Sequence, residues 1–139
     1  MYLLDTNVVS ELRKKAVGRA DPAVLRWSET VTPAQLYLSA ISILELELGV
    51  LQMERRDARQ GAALRRWLNE AVLSAFDGRI LAVDHPVALH CARFSVPDPR
   101  PFRDGLIGAT AAASNFVLVT RNLRDFTGMD LELLDPWAF

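Results

Sequence analysis

Short apolar runs along this chain alternate with longer stretches of helical period. The first run, Tyr2-Leu3-Leu4, stops at Asp5-Thr6-Asn7 and reads as a strand; a helical pattern follows from about Val8 to Lys15. Residues 16–20 read as a loop. Asp21-Pro22 then supplies an N-cap and a proline at the first position of a helix reaching about Thr30. Leu36 to Ser39 predicts a second strand. The helix after it, from about Ser42 to Arg56, is apolar nearly all round, which predicts burial on more than one side. From Asp57 to Phe76 the period is cleanest, with Leu64, Trp67, Leu68, Ala71, Val72 and Phe76 on one helical face. Asp77-Gly78 ends that helix, Ile80 to Val83 predicts a third strand, and Pro86 opens a helix to about Ser95. Three prolines make residues 96–101 a loop. Residues 103–114 predict a helix crowded with glycine and alanine, suited to close approach to a sheet. Phe116 to Thr120 and Leu131 to Leu134 predict the last two strands, the final one at an edge.

Strands alternating with helices predict an α/β fold, with a mainly parallel central sheet of four to five strands between two helical layers. A length of 139 residues, half of them hydrophobic, suits one domain over 1–139, and no repeat or linker divides it. No run approaches the ~20 apolar residues that span a bilayer, and the N-terminus reads as a core strand rather than a leader, so no membrane association is expected. The lone cysteine, Cys91, excludes an internal disulfide, and with two histidines it argues against a structural zinc site. The expected compartment is a reducing cytoplasm.

The net charge of −1 argues little for a nucleic-acid partner, but charge is unevenly distributed. Arg13, Lys14, Lys15 and Arg19 cluster early, and Arg55, Arg56, Arg59, Arg65 and Arg66 crowd residues 54–66. With four acids set aside for a metal, 13 acids remain against 16 bases, compatible with a phosphate-contacting surface.

Four carboxylates fall at element junctions. Asp5 ends the first strand, Glu45 lies in the first turn of the helix after the second, and Asp104 starts the small-residue helix. Asp125 follows the fourth strand in Thr120-Arg121-Asn122-Leu123-Arg124-Asp125-Phe126. Singly, each is explained as an acid complementing a helix dipole, by ~0.3–1 kcal/mol. Right-handed crossovers bring the carboxyl ends of successive parallel strands to one side, so the four can converge, which capping does not predict. Glu47 competes with Glu45, but two helix positions differ by ~200° and cannot both face one site. Gly49, four residues on, leaves room above Glu45, so Glu45 is assigned to the site and Glu47 to surface or interface.

Clustered acids repel one another unless a hard cation such as Mg²⁺ or Mn²⁺ joins them. One ion or two would polarise a phosphate and lower the pKa of a bound water, with no serine, lysine or histidine nucleophile. His85 and His90 read accordingly as turn and helix residues. Thr6, Asn7, Thr120 and Asn122 stand beside the acids, either as caps or as hydrogen-bond partners that aim the carboxylates. Arg121 and Arg124 are surface residues or phosphate contacts.

Four motifs together resemble the PIN-domain ribonucleases of the VapC toxin type, in a branch like FitB. They are Leu3-Leu4-Asp5-Thr6-Asn7, the run from Ser39 to Gly49, Asp104-Gly105-Leu106-Ile107-Gly108-Ala109-Thr110-Ala111, and the run from Leu118 to Phe126. The resemblance implies a Mg²⁺-dependent endoribonuclease acting on RNA and restrained by a cognate VapB-type antitoxin. It implies Asp5, Glu45, Asp104 and Asp125 as the catalytic, metal-binding acids, with Asn122 an alternative for part of the fourth role. It also implies a homodimer, with antitoxin segments packing across the helical pair 42–76. Two other readings remain at this stage. A phosphatase of the haloacid dehalogenase class also begins with an aspartate after strand one, but needs an acid where this chain has Asn7. A PIN-like module that binds RNA or protein without cleavage would keep the fold alone.

Overall fold

In a computed structural model describing all 139 residues, five strands form one sheet in the order β3-β2-β1-β4-β5, every neighbouring pair parallel. The strands are β1 (Tyr2–Leu4), β2 (Leu36–Ser39), β3 (Ile80–Leu81), β4 (Val117–Val119) and β5 (Leu133–Leu134). The sheet is therefore wholly parallel, and its β3 and β5 edges are two residues long, shorter than the apolar runs that predicted them. Six helices cover it: α1 (Thr6–Arg13), α2 (Pro22–Ser28), α3 (Ala40–Arg56), α4 (Ala58–Arg66), α5 (His85–Phe94) and α6 (Phe102–Ser114).

Period-two alternation divides the core between the two faces. Leu4, Leu38 and Val119 point into one cluster with Val8, Trp27, Leu46, Val50, Leu68 and Val72. Leu3 and Leu118 point the other way, onto Ile107 and Ala111 of α6 and onto Phe126 and Met129. The result is the expected three-layer α/β/α arrangement. No helix is long and apolar enough to cross a membrane.

Several elements differ from the sequence reading for identifiable reasons. Asp5 and Ser39 cap α1 and α3 with their side chains, so both helices begin two residues earlier than predicted. Glu45 consequently lies in the second turn of α3, not the first. Lys14–Val17 form a 3-10 turn where a loop was expected. The helix predicted from 57 to 76 is α-helical over Ala58–Arg66, widens into a π-helix over Trp67–Leu73 and is α-helical again at 74–75. Helix α3 buries Ser42, Leu46 and Val50 but leaves Leu44, Leu48 and Leu51 exposed, so this chain covers only one of its apolar sides.

The glycines of α6 serve more than the sheet. A methyl group at Gly105 would press on Cys91 Sγ of α5 at 3.2 Å, and one at Gly108 would meet Met129 Sδ at 2.5 Å. The small residues thus let α5 and the segment after β4 approach the same helix. Glu47 pairs with Arg65 of α4 at 2.6 Å, which places it on the surface away from Glu45, as the helical geometry required.

Candidate active site

In a sheet of order 3-2-1-4-5 the connections leave β1 and β4 in opposite directions, which opens a crevice at their carboxyl ends. Asp5 and Thr120 occupy that crevice, each one residue beyond its strand. The Asp5 amide donates to Val119 O at 2.8 Å, extending the β1–β4 ladder by one step and holding the residue at the strand end. Its side chain is nearly fully buried. Oδ1 accepts from the Thr6 amide at 2.8 Å, and Oδ2 accepts from the Thr120 hydroxyl at 2.8 Å. Asp5 is thus both the cap of α1 and an acid held by two partners.

Thr6 reaches the other way. Its hydroxyl donates to Glu45 Oε1 at 2.7 Å and lies 3.1 Å from Ser42 Oγ, so one threonine ties α1 to α3 beside the acids. Asn7 Nδ2 stands 3.4 Å from Asp5 Oδ2 and 3.5 Å from Thr120 Oγ1. Thr120 Oγ1 also accepts the Asn122 amide at 3.0 Å, which turns the chain from β4 into the 3-10 helix Leu123–Phe126 carrying Asp125. The Asn122 side chain makes no hydrogen bond with any of the four carboxylates; its backbone is what joins the site.

Asp104 sits half-buried in the first turn of α6, and Arg103 beside it approaches Glu45 Oε2 at 3.7 Å. Charge shows how the acids are grouped. Burial raises the pKa of Asp5, the Thr120 and Thr6 hydrogen bonds oppose it, and the charges of Asp104 and Glu45 raise it further. Burial likewise raises Asp104, reinforced by Asp125 and Glu45 and opposed by Arg103. Asp5, Glu45 and Asp104 are therefore close enough to act on one another, while Asp125, exposed in the turn after β4, acts on Asp104 alone.

The donor set fits a hard divalent cation. Arg103 meets Glu45 and opposes the rise at Asp104, yet burial and neighbouring acids still raise the pKa of Asp5 and Asp104, a repulsion that a cation would relieve. No three acids form a ready-made cage, so waters and substrate would complete the coordination sphere, as Mg²⁺ commonly retains them.

Sequence reasoning passed over three residues near this site. Ser42, fully buried, lies three positions before Glu45 and so on the same face of α3, a spacing that could have disclosed it. Arg103 was readable only as a neighbour of Asp104. Arg100, in the proline loop, gave no local signal; it donates to Phe94 O, Asp125 O and Thr127 O and fastens the Asp125 turn to the end of α5. Arg121 lies over the Trp137 ring at 5.1 Å, turned to a partner other than the acids.

Residues 2–130 match the PIN domain family. The chain is 34% identical to the VapC ribonuclease Y4jK of Sinorhizobium fredii, over 99% of this chain and 98% of that protein. It is also 34% identical to the toxin FitB of Neisseria gonorrhoeae, over 99% of both. Its fold superposes on the structure of FitAB bound to an IR36 DNA fragment with a TM-score of 0.86 at 31% identity, covering 99% of this chain and 96% of that one. A PIN assignment also removes the dehalogenase-type phosphatase, whose second acid is Asn7 here. With its five-stranded parallel sheet and acids at the strand ends, the chain belongs to the PIN-domain family.

Proposed function

We propose that this chain is a divalent-cation-dependent endoribonuclease and the toxin of a VapBC-type toxin–antitoxin pair. The observation that carries the reading is the tie among remote acids at the carboxyl end of one sheet: Thr6 bonds both Asp5 and Glu45, Thr120 joins Asp5 to the turn that carries Asp125, and Asp104 stands close enough to raise the Asp5 pKa. The names of the full-length relatives, a VapC ribonuclease and the toxin FitB, support it.

In this reading the four acids hold Mg²⁺, or Mn²⁺ in its place. When bound, the ion would polarise a phosphate of the RNA and make an attacking water more acidic. The protein's own part is orientation. Thr120 and the Thr6 amide fix the two oxygens of Asp5, Thr6 Oγ1 fixes Glu45, and Arg100 fixes the backbone that carries Asp125. Arg103 balances charge at the rim.

The cognate antitoxin is the expected partner, as FitAB suggests for the Neisseria relative. The exposed stripe Leu44, Leu48 and Leu51 supports a homodimer through α3, because these positions share one side of the helix. Cys91 is free and buried, in keeping with a reducing cytoplasm.

The test is cleavage of a defined structured RNA by the purified chain in Mg²⁺, with EDTA and Asp5→Asn as controls. Metal-dependent cleavage that Asp5→Asn abolishes is expected. Equal cleavage by Asp5→Asn, or none by the unmodified chain in Mg²⁺ or Mn²⁺, would overturn the proposal.

A further inference from the structure

Three recesses on the α1 side of the molecule share the same two residues, Arg13 and Trp67. One, of about 200 Å³, opens beside Glu45, the one of the four acids that lines it, and is walled also by Thr6, Ser10 and Gly49. A second, of about 510 Å³, continues past Arg13 to Lys14 and Arg19. The third is apolar, between Leu4, Val9, Leu12 and Phe76. The first two share a cation stacked on an aromatic ring, the Arg13 guanidinium lying 5.6 Å over Trp67.

Taking the ribonuclease reading as given, we propose that the first two recesses, each apolar in its walls and edged by cations, form one track for single-stranded RNA. Arg13 and Arg19 hold its phosphates, and Trp67 stacks a base next to the carboxylates.

Cations interleaved with an aromatic face are the chemistry that holds a single strand, because phosphates take the charge and every base has a face to stack. Arg13 and Arg19 are exposed and carry no ion pair, whereas Lys14 is neutralised by Glu11 at 3.2 Å. From Thr6 to Arg13 helix α1 rises ~10 Å, the length of about three stacked nucleotides at ~3.4 Å each. A strand lying over Arg13 therefore reaches the acids within a few nucleotides. Trp67 also begins the π-helical stretch Trp67–Leu73, and such widened turns concentrate at functional sites. The overall charge of −1 conceals this path, since the cations stand at one end of it and the acids at the other.

Binding can be read apart from cleavage. In the Asp5→Asn background, a fluorescein-labelled dodecauridine is titrated by anisotropy over a range of salt. The added pair Arg13→Ala and Arg19→Ala should weaken binding at least about tenfold and reduce the salt slope by ~1.4, the change expected when two phosphates of a single strand are no longer neutralised. Trp67→Leu should weaken binding about tenfold, while Trp67→Phe, which keeps a stacking face, should restore most of it. Unchanged affinity and salt slope in the double arginine variant would overturn the track, even if Trp67→Leu failed to fold. If the chain with Asp5 intact still cleaves RNA in Mg²⁺, that result removes the track and leaves the nuclease standing. Binding of a protein segment but not RNA to the arginine pair would equally overturn it.

Discussion

At the residue scale, Thr120 does two jobs with one oxygen: it donates to Asp5 Oδ2 and accepts from the Asn122 amide. Fully buried, it can satisfy neither partner from solvent. Thr120→Val keeps the shape and deletes both bonds, so it should cost about 1–3 kcal/mol in denaturant unfolding. It should also weaken Mg²⁺ binding by ~10–100-fold, because an unaimed carboxylate is a poorer ligand. Thr120→Ser should recover most of both; a valine variant that binds metal normally would remove the orienting role. Asp5 itself predicts opposite effects on stability and activity. Asp5→Asn keeps an oxygen for the Thr6 amide and removes a buried charge that Asp104 and Glu45 oppose. In EDTA its thermal midpoint should rise by a few degrees, while RNA cleavage in Mg²⁺ falls at least ~10²-fold. Asp5 was legible in the sequence because an apolar run ending in an acid is a local pattern. Thr120's direction was not, since its partner lies 115 residues away.

Whole elements show where local pattern stops being informative. Two glycines that look alike in sequence differ completely in space. At Gly49 an added methyl meets nothing within 4 Å, whereas at Gly61 it would lie 2.4 Å from the Glu54 backbone, because α3 and α4 cross there. Gly49→Ala should therefore stabilise by about 0.5–1 kcal/mol through helix propensity. Gly61→Ala should destabilise by more than ~2 kcal/mol, as overpacking against backbone has no flexible atom to move. Paired urea titrations test this, and equal responses would contradict the crossing. Helices α1 and α3 start two residues early because Asp5 and Ser39, besides ending strands, cap them with their side chains, a role already open to Asp5 in the sequence. The π-helix was invisible because its apolar residues still satisfy a 3.6 period on paper. Arg100 was illegible for another reason: it acts on carbonyls, which every residue has, so no side-chain pattern announces its partners. Arg100→Met should lower the thermal midpoint and free the Asp125 turn, visible as faster amide exchange at residues 123–127. Exchange there at the unmodified rate would show that the turn holds itself.

For the molecule as a whole, the acids make stability depend on pH and on cations together. Asp5 and Asp104 both hold protons more tightly in the fold than in the unfolded chain, chiefly through burial. Between the ordinary aspartate value of about 3.9 and those raised values, the native state binds more protons than the unfolded one. Stability from this pair is therefore full at low pH, falls as pH rises through that window, and stays reduced above it. Other groups titrate over the same range, so the pair must be isolated by difference. In EDTA, the midpoint of Asp5→Asn/Asp104→Asn minus that of the unmodified chain should grow from pH 4 toward neutrality. With excess Mg²⁺ at neutral pH the difference should change sign, since an ion that binds only the folded state at 100 times its Kd adds ~2.7 kcal/mol. The double variant, lacking two of the four acids, should gain little. Sodium chloride at matched ionic strength separates binding from screening, which would shift both proteins. A difference flat with pH, or Mg²⁺ acting no better than sodium, would mean that the four acids tolerate one another without a shared cation.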